Sequence, residues 1–142
     1  GNVNITGSGG ANIGPINLLL PAPPAFDFNG RTGLNSILRS DPLPISWSAV
    51  SGTVVILGVN FDHPANASGL FLCAAPATSA GFTVPPYILQ TIPVSRAGYA
   101  QSNGYIMTGL IPASAPITFT APSLDSGYVI SVSWAVKSVV FR

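Results

Sequence analysis

Thr53-Val54-Val55-Ile56-Leu57-Gly58-Val59-Asn60-Phe61 is the stretch on which the fold turns. It is dense in β-branched residues, follows the turn Val50-Ser51-Gly52, and leads into the Pro-, Asn- and Ser-bearing loop Asp62 to Ser68. That combination reads as a strand long enough to cross a sheet. Upstream, Leu43-Pro44-Ile45-Ser46-Trp47-Ser48 alternates, with Leu43, Ile45 and Trp47 on one face. Downstream, Leu70 to Ala75 and the short Phe82-Thr83-Val84 continue the series. Further out lie Val3 to Thr6, Ile16 to Leu20, Gly104 to Ile111 and Ala115 to Thr120. Gly127 to Arg142 carries the strongest strand pattern in the chain. Tyr128, Ile130, Val132, Trp134 and Val136 share one phase and Val139 and Phe141 the other, which predicts a bulge or kink around Ala135 to Ser138.

Helix patterns are nearly absent. Fifteen Gly and fourteen Pro are spread from end to end, leaving few windows for three helical turns. One helical turn is expected near residues 86–91, where Pro opens the segment and Pro93 closes it. Val94 to Asn103 reads as a long loop. About eight short strands with turn chemistry between them give an all-β chain folded as an antiparallel β-sandwich. Its 142 residues fit one domain, 1–142, in which residues 1–12 form an edge strand or a joint to a preceding domain.

Composition narrows the function classes. Only 6% of residues are charged, five Lys and Arg against four Asp with no Glu, so the net charge is +1. Cations this sparse make no stripe for nucleic-acid phosphates, and none is expected as a partner. The chain is not expected to span a membrane, because the greasiest run, Ile16 to Phe28, is broken by Pro21, Pro23 and Pro24. A neutral polar complement of Ser, Thr, Asn and Gly suits a secreted or cell-surface module. Gly1-Asn2-Val3 has no basic signal-peptide start, so the chain reads as part of a longer one. Asn4-Ile5-Thr6 and Asn66-Ala67-Ser68 are sequons that matter only in a glycosylating host.

Catalytic patterns are thin. Asp41, Asp62 and Asp125 stand beside Pro, His or Ser-Gly and read as turn formers. His63 is the sole His; an Asp62–His63–Ser triad or a Cys73–His63 pair can be drawn on paper, but no G-x-S-x-G elbow is present. Cys73, the sole Cys, sits in an apolar run and reads as a small buried hydrophobe. One His and one Cys without Glu leave no zinc set, and no cofactor is expected. Gly7-Ser8-Gly9-Gly10 lacks the spacing and the following helix of a phosphate loop. Trp47 and Trp134 lie in phase with aliphatic neighbours and read as core. Tyr99 and Tyr105 flank the Gly98 to Gly104 loop and are the candidate ligand-contacting residues.

Several of these stretches together resemble a family. Gly9-Gly10-Ala11-Asn12-Ile13-Gly14-Pro15, Leu43 to Ser48, Thr53 to Gly58, Phe71 to Pro76, Phe82 to Pro85, Leu124 to Tyr128 and Lys137 to Phe141 follow in order. The chain resembles a C-terminal module of large secreted soil-bacterial proteins, placed after tandem immunoglobulin-like repeats. The resemblance implies an immunoglobulin/fibronectin-III-like sandwich and placement in a larger extracellular protein, and it supplies no catalytic or ligand residues. The expected role is a non-enzymatic structural or adhesive module, with neighbouring immunoglobulin-like domains of the parent chain as partners. A carbohydrate-binding module, taking surface polysaccharide on at least two exposed rings of one sheet face or loop cluster, is the alternative. A hydrolase using Asp62 or His63 ranks third.

Overall fold

The quoted stretch is the centre of the molecule. In the computed structural model, which describes residues 1–96 and 104–142, it lies in a strand that runs Gly52–Asp62. In chain order the elements are β1 (Asn2–Gly7), β2 (Ile16–Pro21), β3 (Ser36–Ile37), β4 (Leu43–Ser46), β5 (Gly52–Asp62) and β6 (Ala67–Pro76). β7 (Gly81–Val84), a single helical turn α1 (Pro86–Leu89), β8 (Gly104–Pro112), β9 (Ile117–Ala121), β10 (Leu124–Val129) and β11 (Ser133–Phe141) follow. The expected helical turn is therefore present, with Pro86 in its first turn.

β5 pairs antiparallel with β6 on one side and with β8 on the other. The full sheet has the order β3-β11-β8-β5-β6, antiparallel except for the two-residue parallel pairing of β3 with β11. Across the core lies the antiparallel pair β4-β7. With the hairpins β1-β2 and β9-β10 set aside, seven strands remain. The last, sixth and third lie side by side, and the second pairs with the fifth in the opposite layer. That is the strand placement of an immunoglobulin-like sandwich, with the fourth strand added at the sheet edge.

Sheet-on-sheet burial explains the alternation. Val54, Ile56, Ile106, Leu110, Val139 and Phe141 point inward from the large sheet, and Leu43, Ile45 and Val84 meet them from the small one. Trp47 is buried as expected, and its Nε1–H donates to the Ala77 carbonyl at 2.8 Å. A two-stranded layer is too narrow to cover five strands. The gap is filled by α1 and the residues after it, whose Leu89 and Ile92 are buried. That segment lies so close to β6 that a Cβ on Gly69 would stand 2.5 Å from the Thr91 carbonyl oxygen.

The chain from Gly127 on differs from its sequence reading. It is two strands, β10 ending at Val129 and β11 starting at Ser133. No bulge occurs around Ala135 to Ser138, because β11 pairs with β8 without interruption from Ser133 to Val139. The phase change has another cause. Trp134 and Val136 are apolar on the outer face, whereas Val139 and Phe141 are apolar on the inner one. The register shift lies in the β9-β10 hairpin, between Leu124 and Gly127, in a segment whose Asp and Ser read as a turn. β9 starts two residues later than expected, at Ile117.

Among the described residues β1 pairs only with β2, and its six residues are exposed. Residues 1–12 thus hold a strand that joins neither layer. The β1-β2 hairpin meets β9-β10 instead: the Gly14 N–H donates to the Pro122 carbonyl at 2.8 Å, and Pro21 and Pro24 line a hollow with Ile117 and Val129.

Candidate functional site

A run that is apolar at every position, as in Val54-Val55-Ile56-Leu57, gives a strand that is apolar on both faces. Among the described residues only one face of β5 is covered. On the other, three ladder rows cross four strands in the order β6, β5, β8, β11. The first is Ala74, Val55, Gly109 and Trp134. The second is Leu72, Leu57, Met107 and Val136. The third is Leu70, Val59, Tyr105 and Ser138. No charged side chain stands in these rows. Leu70, Leu72, Tyr105, Trp134 and Val136 are all exposed.

The face has relief. Leu70 and Leu72 form a ridge along β6, and Trp134 and Val136 form one along β11. Between them β5 and β8 carry half-buried Val55, Leu57, Val59 and Met107. Gly109 adds no side chain, and a Cβ there would stand 2.8 Å from Trp134 Cε3, so the indole rests on bare backbone. The two edges differ. Along β11, Arg31 Nη1 donates to the Val136 carbonyl at 3.3 Å and Lys137 Nζ to the Thr32 carbonyl at 3.1 Å. Beside them Arg31 Nε pairs with Asp27 Oδ1 at 2.7 Å, and that hydrogen bond holds the Asp27 carboxyl below its usual range. The β6 edge has no such guard among the described residues.

No family model, curated protein or solved structure matches the chain. Its site is therefore read from its own residues.

Of the two candidate tyrosines, Tyr105 lies on this outer face and Tyr99 lies outside the described residues. Trp134, expected in the core, is 47% exposed on the same face as Tyr105. Its aliphatic phase-mates gave no hint of this, because periodicity reports a shared face and not which face is covered. The exposure of Leu70 and Leu72 was equally hidden.

The groups drawn into triads on paper do not assemble. Asp62 is a buried strand residue, not a turn former, and Arg96 Nε donates to its Oδ2 at 2.9 Å. His63 faces outward in the β5-β6 turn, its ring edge-on to Phe61 at 4.6 Å between centroids. Cys73 is half-buried opposite Ile56, about 23 Å of strand away from His63 at the rise of a β-strand. Burial pushes its thiol pKa up from its ordinary value, away from reactivity. Near Asp62, Asn60 Nδ2 donates to the Pro93 carbonyl at 2.9 Å and to Ser95 Oγ at 3.1 Å, and Ser95 Oγ also accepts from the Phe141 N–H at 3.0 Å. This polar group fastens the segment after α1 to β5 and β11. Among the described residues no cluster of three potential metal ligands occurs, and no helix is long and apolar enough to cross a membrane.

Proposed function

We propose that the chain is a non-enzymatic structural or adhesive module of a larger extracellular or cell-surface protein. It acts by packing the outer face of its five-stranded sheet against a neighbouring surface. One observation carries this reading: twelve positions in three rows, none of them charged, lie on a sheet face that is left uncovered among the described residues. A monomer's largest apolar patch is usually about 300–600 Å² and marks an interaction site when it is larger. Asp62 is buried against Arg96 while His63 turns to solvent, and Cys73 lies well down the strand from both, which supports a non-catalytic role. The neutral polar composition and the resemblance to C-terminal modules of secreted proteins support the extracellular setting, where neighbouring immunoglobulin-like modules are available as partners.

Tyr105 and Trp134 on one face favour carbohydrate binding as a second reading. They stand two ladder rows apart, roughly 13 Å along the strands, so a sugar would have to be an extended polymer. Between them stand Met107 and Val136, which offer no hydrogen bonds to hydroxyls, and sugar sites need such groups beside their rings.

Retention of the chain on three surfaces separates the readings: octyl-coated beads, beads carrying the same chain, and insoluble cell-wall polysaccharides. Retention on either kind of bead is expected, weakened by Leu72→Lys and indifferent to His63→Ala. Retention on polysaccharide that disappears with Tyr105→Ala converts the site to sugar recognition. A chain retained by none of the three overturns the adhesive role.

A further inference from the structure

We infer that the free edge of β6 is the pairing edge for a second copy of this chain, whose own β6 adds to it antiparallel and joins the two five-stranded sheets into one. The inference goes beyond the reading of the outer face and stands or falls separately from it. β6 is the last strand of the order β3-β11-β8-β5-β6, and among the described residues it pairs in that sheet only with β5. Every second residue of such a strand turns both its N–H and its C=O away from the neighbour it has. A row of backbone groups at strand spacing is matched by another strand. Folds normally guard such an edge with charge, proline, a bulge or shortness. β3, at the other end of the sheet, is two residues long, and Arg31 and Lys137 bridge the chain ahead of it to β11. β6 has ten residues, pairs with β5 without interruption from Ala67 to Pro76, carries no charge, and holds its one proline at the last position.

The order of residue sizes in β6 selects a like strand. Ala67-Ser68-Gly69-Leu70-Phe71-Leu72-Cys73-Ala74-Ala75 runs small, Leu, Phe, Leu, small from either end. Antiparallel pairing reads one copy backwards against the other, so a two-fold axis through Phe71, perpendicular to the sheet, sets like against like. Ala67 faces Ala75, Ser68 faces Ala74, Gly69 faces Cys73, and Leu70 faces Leu72 on both sides of the Phe71 pair. Pro76, which has no N–H to give, falls opposite Asn66 in the turn and outside the ladder. No charge meets a like charge along it. The axis keeps both outer faces on one side of the joined sheet. Leu70 and Leu72, 61% and 62% exposed in one chain, are thereby covered on the flank where β6 has no neighbour. Phe71, buried over Gly58, keeps its place in each core. The contact is isologous and closed, so it makes dimers and not filaments.

Sedimentation velocity on the chain between about 10 and 500 µM, the range of weak association through one strand edge, is the test. The mass is expected to rise from 14.5 kDa toward twice that value with concentration. The double variant Leu70→Lys/Leu72→Lys sets Lys against Lys twice across the axis and is expected to weaken the dimer at least about tenfold. Leu70→Lys/Leu72→Asp sets opposite charges there and is expected to recover most of that loss. Val136→Lys, on the same face but on β11, three strands away from β6, leaves the dimer unchanged. Circular dichroism and melting curves confirm that the three variants keep the fold. A chain monomeric throughout overturns the pairing. So does a dimer that Val136→Lys weakens as much as the Lys/Lys change, or one in which the Lys/Asp chain pairs no better than the Lys/Lys chain. Retention on octyl beads judges the adhesive reading apart from these results: a monomer so retained loses the edge pairing alone.

Discussion

Trp47, just past the end of β4, and Trp134, inside β11, follow the same kind of alternation, yet one is 2% exposed and the other nearly half exposed. Trp47→Phe removes the donor to the Ala77 carbonyl and some core volume, so it is expected to cost about 2 kcal/mol in a urea melt. Trp134→Phe is expected to stay within about 0.5 kcal/mol, as exposed substitutions do. Equal costs for the two would show that the outer face is covered within the monomer. Cys73 gives a pH signature. Its thiol pKa in the fold is raised by burial, so the unfolded chain ionises first as pH rises. The stability it contributes is whole below about pH 8.5, the free thiol value, and is lost as pH climbs through the raised one. Melts from neutral to alkaline pH are expected to show that loss, and Cys73→Ala to abolish it. Asp27 has the opposite sign: its lowered pKa gives stability that fades as pH falls through the acid range. Its partner Arg31 is partly exposed, so the effect is small.

Among the elements, β5, β6, β8 and α1 were legible because each is a local pattern bounded by Gly or Pro. β3 was not, since two residues, Ser36 and Ile37, carry no periodicity and pair with β11 only through the closed fold. β10 was masked by turn-forming Asp125-Ser126-Gly127, which a register shift absorbs inside the hairpin. Gly58 belongs to this scale as well. Phe71 packs over it across the β5-β6 ladder, and a Cβ there would stand 2.2 Å from Phe71 Cε1. Gly58→Ala is expected to overpack the core by about 1–3 kcal/mol, read as a lowered melting temperature. The β1-β2 hairpin predicts the reverse. Because β1 joins neither layer, removing Gly1 to Asn12 is expected to lower the melting temperature by no more than about 3 °C, the shift of roughly 1 kcal/mol in a domain this size. A drop several times larger would make the contact with β9-β10 part of the cooperative core.

For the whole molecule, an association driven by an uncharged apolar face has a thermodynamic signature. It is expected to strengthen on warming from about 5 to 25 °C and to be indifferent to salt, because the driving force is entropic and there is no ion pair to screen. Retention on octyl-coated beads at two temperatures and two ionic strengths checks both, and retention that is lost in moderate salt points to the charged rim of Arg31, Asp27 and Lys137 instead. Part of the candidate site was readable beforehand: Tyr105 was named from its place beside a Gly-bounded loop and lies on the exposed face. Leu70, Leu72, Val136 and Trp134 were not, since an apolar residue in strand phase reads as core from either side. The sequence by itself determined the all-β class, the α-helical turn after Pro85 and the weak charge, because these follow from local propensity and composition. Only the tertiary structure decided which face of the large sheet is covered. The opposing layer is two strands wide and sits on one side of the sheet. No local pattern in β5 or β11 records where distant β4 and β7 come to rest.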